Sequence, residues 1–391
     1  MRETLSRHYT NSGIGKLLVS NMKSTSPNSV LDMGIGTGCL TQYAIKRWTE
    51  AIFYGTDIDE NLTDLLLKKF PTIKYFHIDG FSKKLPKTVQ FNNGEIDVAI
   101  CNPPYNEKVP INGYEELFEL TGLSSLKNFK SVSGDLIFLA QNLRFLKPGG
   151  ELGIIVPDSI ITGHNFHNLR KNLLDNHSID SIIELPDRVF HKTEAKAHIM
   201  TLRAHVSSDK PVYITSSNEN GICDEALLVE KSRLVERMDF KFNSYHAHRY
   251  PPLSSGRPIN YLDVDVSRGN RTKIDLEQKG VSYYHTTNIN ELDIKNAVYD
   301  GNPSNRTVKR GDVLLSRVGK RCLGKIEFIN HDLPIEFSDC LYRIRFSRTS
   351  EAEIFYKKIK STEGQDWLSA ISHGTCSKVI SKADLMNFKI P

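Results

Sequence analysis

Up to roughly residue 205, short apolar runs alternate with longer stretches whose apolar residues recur at helical spacing. Ser29-Val30-Leu31-Asp32 reads as a buried strand ending in a glycine-rich turn, and Thr37 to Trp48 as the helix after it. Ala51 to Thr56 is a second strand and Glu60 to Lys69 a second helix. Ile73 to Ile78 and Ile96 to Cys101 are further strands. Asp135 to Phe145 reads as a helix stopped by Lys147-Pro148-Gly149-Gly150. Leu152 to Val156, Ser181 to Leu185 and Ala197 to Ala204 are the last strands, with a helical Asn165 to Asp175 among them. Short apolar strands alternating with helices predict an α/β domain, its mostly parallel sheet covered on both faces.

The pattern changes over residues 206–225, where Ser207-Ser208-Asp209 and Thr215 to Gly221 are turn and linker material. The expected division is therefore a first domain over 1–210 and a second over 225–391. The second has short strands such as Asp312 to Ser316 and Leu341 to Phe346, many turns, and one helix from Glu351 to Ile371. It reads as a mixed α/β domain, and no internal repeat is present.

A length of 391 residues suits two domains, and 39% hydrophobic with 25% charged residues suits globular folding. No apolar run reaches bilayer length, and the polar Met1 to Thr10 is not a secretory signal. Cysteines 39, 101, 223, 322, 340 and 376 form no CxxC pair and have no histidine cluster, so neither zinc nor a disulfide framework is expected. Scattered thiols fit a reducing cytoplasm. The net charge of +5 is uneven. Phe240 to Pro391 holds 24 basic and 17 acidic residues, which leaves −2 on the rest. A basic second domain is the footprint of a segment that meets phosphates, although a solvated surface would carry the same charge.

Candidate chemistry begins at Val30 to Gly38. Gly34, Gly36 and Gly38 alternate, unlike the dinucleotide GxGxxG spacing. Asp32 precedes the loop. Asp57 ends the next strand, where a carboxylate can accept both ribose hydroxyls, and Ile58 beside it can pack on an adenine face. Asp79 follows the third strand, placed to accept from an adenine amino group. Singly, Asp57 and Asp79 also suit a cap or turn; at this joint spacing they point to a cofactor. Asn102-Pro103-Pro104-Tyr105 follows the strand Ile96 to Cys101, at the end of a parallel strand where ligands sit. The prolines fix the backbone and leave carbonyl acceptors. An exocyclic amino group is a poor nucleophile because its lone pair spreads into the ring. The Asn102 side-chain oxygen and the Pro103 carbonyl can each accept one amino hydrogen, which frees that lone pair. Tyr105 can stack on the base. Such catalysis needs positioning and electrostatics and no strong base.

Leu31 to Gly38 (LDMGIGTG) and Tyr54 to Asp59 (YGTDID) resemble the S-adenosylmethionine-binding motifs of Rossmann-like methyltransferases. Asn102 to Tyr105 resembles the motif of amino-methyltransferases that act on adenine N6, on a release-factor glutamine or on guanine N2 of ribosomal RNA. Cytosine-N4 relatives usually begin the motif with Ser, so Asn102 favours adenine. His8-Tyr9-Thr10 resembles the segment preceding the glycine loop in restriction-type adenine methyltransferases, which implies that Thr10 contacts the methionine part of the cofactor. Asn11 replaces the usual proline there. Leu185 to Phe190 resembles a later motif of that family, implying that Phe190 stacks on a flipped base opposite Tyr105; a core aromatic would look the same. Val308 to Gly319 and Ser372 to Pro391 resemble a target-recognition domain of type I specificity subunits. That resemblance makes Arg317, Lys320 and Arg321 candidate contacts to phosphate or guanine, and Tyr283, Tyr284 and His285 a polar aromatic patch.

The expected protein is thus a site-specific adenine-N6 DNA methyltransferase of the gamma arrangement, with a Rossmann-like methyltransferase domain and a target-recognition domain. It is expected in the prokaryotic cytoplasm with S-adenosylmethionine as cofactor and duplex DNA as partner, no metal and no membrane. A separate restriction or specificity subunit is an open partner; otherwise a monomer or dimer is expected. The cofactor motif lies near the N-terminus and no nuclease motif follows, so modification without cutting is expected. An RNA or release-factor methyltransferase, and a non-catalytic DNA-binding module, are the alternatives.

Overall fold

A computed structural model describes residues 12–83, 85–89, 91–105, 107–186, 196–248, 256–299, 306–319, 321–374 and 377–391. The chain divides into two compact units, Met1–Asn243 and Ser244–Pro391.

The first unit is built on a nine-stranded sheet. In chain order the strands of this unit are β1 (Ser29–Met33), β2 (Ile52–Asp57), β3 (Lys74–His77), β4 (Ile96–Cys101), β5 (Lys108–Pro110), β6 (Ser131–Ser133), β7 (Leu146–Pro157), β8 (Ser178–Glu184), β9 (Ala197–Arg203), β10 (Val212–Ser216) and β11 (Leu227–Val229). β5 and β6 form a separate antiparallel ribbon; the others follow the order β11-β10-β8-β9-β7-β4-β1-β2-β3. β3, β2, β1, β4 and β7 are mutually parallel, and β9 runs antiparallel between β7 and β8. The central strands carry no polar alternation because both faces are covered. Val30, Val98 and Ile100 enter one core, with Leu18 and Ala44 from the helices Ser12–Asn21 and Thr41–Arg47. Their strand neighbours Leu31, Met33, Ala99 and Cys101 enter the other, against the helix Gly134–Phe145. Successive side chains of a strand point to opposite faces, so one sheet feeds both cores. The result is a Rossmann-like α/β layer structure.

The second unit holds β12 (Arg257–Pro258), β13 (Val264–Arg268), β14 (Tyr283–Tyr284), β15 (Val313–Ser316), β16 (Ile326–Phe328), β17 (Glu336–Phe337), β18 (Leu341–Phe346) and β19 (Lys389–Ile390). An antiparallel sheet β13-β18-β15-β16 is its centre, and the short pair β12-β19 joins its two ends. Arg345 clasps the fully buried Asp312 with two hydrogen bonds of 2.6 Å, tying β18 to the turn before β15.

Three elements differ from the sequence reading. The helix expected from Thr37 begins at Thr41, because a glycine turn occupies the preceding residues. The strand expected over Leu152 to Val156 extends back to Leu146, through the Pro-Gly-Gly segment. The single helix expected over Glu351 to Ile371 is two, Thr349–Lys360 and Thr362–Ile371. Ser361 breaks it by accepting the Gly364 N–H and capping the second helix. Gly364 also lies against the Ile359 backbone, where a side chain would not fit. The turn-rich stretch 206–225 carries β10, and a bridge between Ser217 and Cys223 closes the turn after it.

Candidate active site

Parallel pairing aligns the carboxyl ends of β3, β2, β1 and β4 along one sheet edge: Asp57 lies opposite His77, Met33 opposite Thr56, and Asp32 opposite Ile100. The residues just beyond these ends are Gly34 to Gly38, Asp57-Ile58, Asp79 and Asn102 to Tyr105. The fold therefore brings eleven of the predicted site residues to one edge: Asp32, Gly34, Gly36, Gly38, Asp57, Ile58, Asp79 and Asn102 to Tyr105.

The glycine loop is held by the next strand. Gly34 and Ile35 both donate to the Thr56 carbonyl at 2.9 Å, and Gly36 donates to Asp57 Oδ2 at 2.8 Å. Gly34, Gly36 and Gly38 have φ of 74°, 54° and 76°, a region glycine enters without penalty. The two later glycines serve different ends. A Cβ on Gly38 would collide with the Phe70 ring, whereas one on Gly36 would meet nothing within 4 Å. Gly36 thus faces the space in which a ligand can lie against bare backbone.

The acids are set by the same elements. Asp32 is 1% exposed and accepts from the Thr41 hydroxyl at 2.6 Å. Burial, only partly offset by that hydrogen bond, pushes its carboxyl up to about 7. Asp57 accepts the Gly36 and Asp59 N–H groups on different oxygens, which leaves lone pairs on each. Ile58 keeps 37% of its surface exposed, with its carbonyl held by His77 Nε2 at 3.0 Å. Asp79 accepts the Phe81 N–H at 2.9 Å in a tight turn.

In the Asn-Pro-Pro-Tyr segment, the Tyr105 hydroxyl donates to Asn102 Oδ1 at 2.6 Å and approaches the Ile155 carbonyl at 3.3 Å. Burial raises the Tyr105 phenol well above its usual range, so it stays protonated and a donor. The helix Gly134–Phe145 packs behind this edge. Cβ atoms on Gly34 and Gly80 would both crowd the Phe138 ring, which also meets Phe81 edge-on at 5.2 Å. Sequence reading passed over Phe138 and Asp135, because both belong to a helix that is buried almost all round.

Thr10, Phe190 and Lys320 lie outside the described residues. Arg317 and Arg321 belong to the second unit; Arg321 is exposed, and the Arg317 guanidinium lies 5.2 Å from the Tyr342 ring centre. The expected aromatic patch does not hold as a surface. Tyr284 is fully buried and hydrogen-bonds His331 at 2.9 Å, because β14 turns it into the core of the unit. Tyr283 bonds Glu277 at 3.1 Å, and His285 bonds Ser338 at 2.8 Å.

Residues 3–247 match the family model described as N-6 DNA Methylase. The chain belongs to the N-6 DNA methylase family. It is 25% identical over 234 residues to the type I restriction enzyme MjaVII methylase subunit of Methanocaldococcus jannaschii, covering 54% of this chain and 39% of that one. Over 203 residues it is 25% identical to the type II methyltransferase M.PstI of Providencia stuartii, covering 46% and 39%. The chain thus spans about two fifths of the length of these relatives. Among solved structures, the type IIG restriction endonuclease BpuSI matches its fold with a TM-score of 0.55 at 15% identity, over 100% of this chain and 59% of that one. The cofactor of this methylase fold is S-adenosylmethionine. The edge just described suits it: bare backbone at Gly36, carboxylate lone pairs on Asp57 and an exposed apolar Ile58 match a ligand with a ribose and a flat ring. Among the described residues, no helix is long and apolar enough to cross a membrane.

Proposed function

We propose that this chain methylates adenine N6 at specific sites in duplex DNA. The observation that carries the reading is the Asn102 to Tyr105 segment, set at the end of β4 beside the glycine loop at the end of β1. S-adenosylmethionine supplies an electrophilic methyl group on a sulfonium. Asp57 holds the ribose hydroxyls, Ile58 and Asp79 take the adenine ring and its amino group, and Asp32 braces the loop through Thr41. Thr10 completes the methionine end.

Asn102 Oδ1 and the Pro103 carbonyl each accept a hydrogen of the target amino group, and Pro104 keeps the backbone rigid. The Tyr105 hydroxyl now occupies one lone pair of Asn102 Oδ1. The Ile155 carbonyl is an alternative acceptor for the hydroxyl when the base takes its place on Asn102. The base must leave the duplex to reach this edge, and the rings of Tyr105 and Phe190 would hold it.

DNA as acceptor is supported by the second unit. Two arginine side chains, Arg268 and Arg317, hold the loop Ser338 to Cys340, and the backbones of Arg268 and Arg271 bring Arg271 and Arg306 beside them. Arg268 donates to the Asp339 carbonyl and carboxylate, at 2.9 and 2.8 Å, and Arg317 to the same carbonyl at 3.4 Å. The Asp339 N–H is held by the Arg271 carbonyl, and Arg306 donates to the Arg268 carbonyl. Three cations, Arg268, Arg271 and Lys279, pair with two carboxylates, Asp339 and Glu336. Cations in excess of carboxylates fit phosphates, and Arg321 is a further exposed cation of this unit. This unit would set the target sequence. A specificity or restriction subunit would be a further partner, and a cytoplasmic location follows from the same reading.

The test is label transfer from S-adenosylmethionine to unmethylated duplex DNA, RNA or release factor, with wild type and Asn102→Ala. Label is expected in duplex DNA, with a rate loss on the order of 100-fold or more in Asn102→Ala and unchanged cofactor affinity. Label only in RNA or protein, or full activity in the variant, would overturn the reading. DNA binding without any transfer would make the chain a binding module.

A further inference from the structure

The helix Gly134–Phe145 begins directly behind the Asn-Pro-Pro-Tyr segment. The Gly134 N–H donates to the Glu107 carbonyl at 2.8 Å. A Cβ on Gly134 would lie 2.9 Å from the Pro104 carbonyl oxygen and 2.8 Å from the Phe81 ring, so the helix start is pressed against the segment. The next residue is Asp135, only 1% exposed. Neither of its carboxylate oxygens finds a full hydrogen-bond partner. Burial pushes the carboxyl up to about 6, with the Ser133 hydroxyl and the backbone N–H of Asp135 pulling only weakly the other way. Burial chiefly raises the Tyr105 phenol and the Cys101 thiol; the Asp135 charge adds to the first, and adds to the second after Asp32.

A buried, unpaired carboxylate is costly to keep, and a neutral side chain would serve the helix better. Resting on the amino-methylation reading, we propose that Asp135 is a positioning residue whose carboxylate, behind Pro104 and Tyr105, supports the positive charge that grows on the acceptor nitrogen. As the N–CH3 bond forms and the S–CH3 bond breaks, one positive charge passes from sulfur to nitrogen. The nitrogen then gives up a proton to water. Asp135 touches neither reacting atom. It strengthens the acceptor character of the Pro104 end of the segment and of Asn102 in a site where water does not screen it.

The other titratable groups around it are Cys101 on β4, Tyr105, Glu107 beside Gly134, and Asp32 beyond Cys101. Cys101 and Tyr105 stay neutral because burial raises both. Asp32 titrates near 7 against Thr41 in the cofactor loop, so its ionisation belongs to the KM for S-adenosylmethionine. Asp135 belongs to kcat.

The test uses the full chain, unmethylated plasmid DNA and labelled S-adenosylmethionine, with Asp135→Asn, which keeps the shape and removes the charge. The expected result is a kcat lower by about 10- to 100-fold, as for lost electrostatic support, with both KM values within threefold of wild type. Wild-type kcat rises with pH through a midpoint near 6, and the variant lacks that limb. Asp135→Ser, smaller and equally neutral, gives the same loss. Unchanged kcat and pH limb in the variants would overturn the proposal, as would a parallel fall in kcat and cofactor affinity, which marks a packing role. Methyl transfer by wild type with indifferent variants removes this proposal alone. No transfer by wild type removes the underlying reading and this proposal with it.

Discussion

Asp32 shows how a single residue reconciles folding with binding. Its carboxylate is buried against one hydroxyl, which is too little to replace its hydration. The folded-state value of about 7 lies above the usual 3.8. The protonated form is therefore favoured by folding, and stability present below pH 4 is lost as pH rises through 7. Asp32→Asn should raise the thermal midpoint at pH 8 by a few degrees and give no gain at pH 4, on the scale of about 2–4 °C per kcal/mol. A scanning calorimetry series would check it; a lower midpoint at pH 8 would show that the charge stabilises the loop. The same variant should weaken S-adenosylmethionine. The sequence displayed Asp32, Asp57 and Asp79 because each sits at or just past the end of a strand. It concealed Asp135 and Phe138, since nothing along a buried helix marks which turn faces a ligand edge.

At the scale of elements, strands were the most legible. Ile96–Cys101 falls where an apolar run lies, because a strand buried on both faces needs a continuous run; Leu341–Phe346 shows alternation instead, with Arg343 and Arg345 between its apolar residues. Helix limits were less legible. A cap such as Ser361 is one polar residue among many until Gly364 is seen against Ile359. Long-range fastenings leave no trace in sequence at all. Arg170 is 1% exposed and donates to the carbonyls of Ile160, Gly163, Val235 and Glu236 at 2.6–3.0 Å. It ties the helix His167–Asn176 to the end of Asp158–Thr162 and to the segment that closes the first unit. Burial lowers its guanidinium to about 10, still charged at neutral pH. Arg170→Met fills similar volume but strands those carbonyls, and should cost about 3 kcal/mol. Urea unfolding of the two proteins measures this; a loss below about 0.5 kcal/mol would mean that the carbonyls find other donors.

For the whole molecule, the charge division is the feature that ties fold to substrate. The residues from 240 onward carry the positive excess, which includes Arg268 and Arg317 on Asp339. On the proposed reading, the first unit supplies the edge on which a methyl donor and a flat amine meet, and the second would supply cations for a polyanion. Family membership covers residues 3–247, the part in which the sequence motifs were strongest. Sequence alone left the second unit loosely drawn, because its strands are short and its sheet is assembled from distant segments. The central claim is the identity of the methylated atom, and it leans on Asn102. The most direct measurement is to incubate the purified chain with S-adenosylmethionine and unmethylated genomic DNA, digest to nucleosides and separate them by mass spectrometry. N6-methyladenine is expected, and is absent when Asn102→Ala replaces wild type. N4-methylcytosine in its place, or no methylated nucleoside in DNA while RNA or protein is labelled, would contradict it.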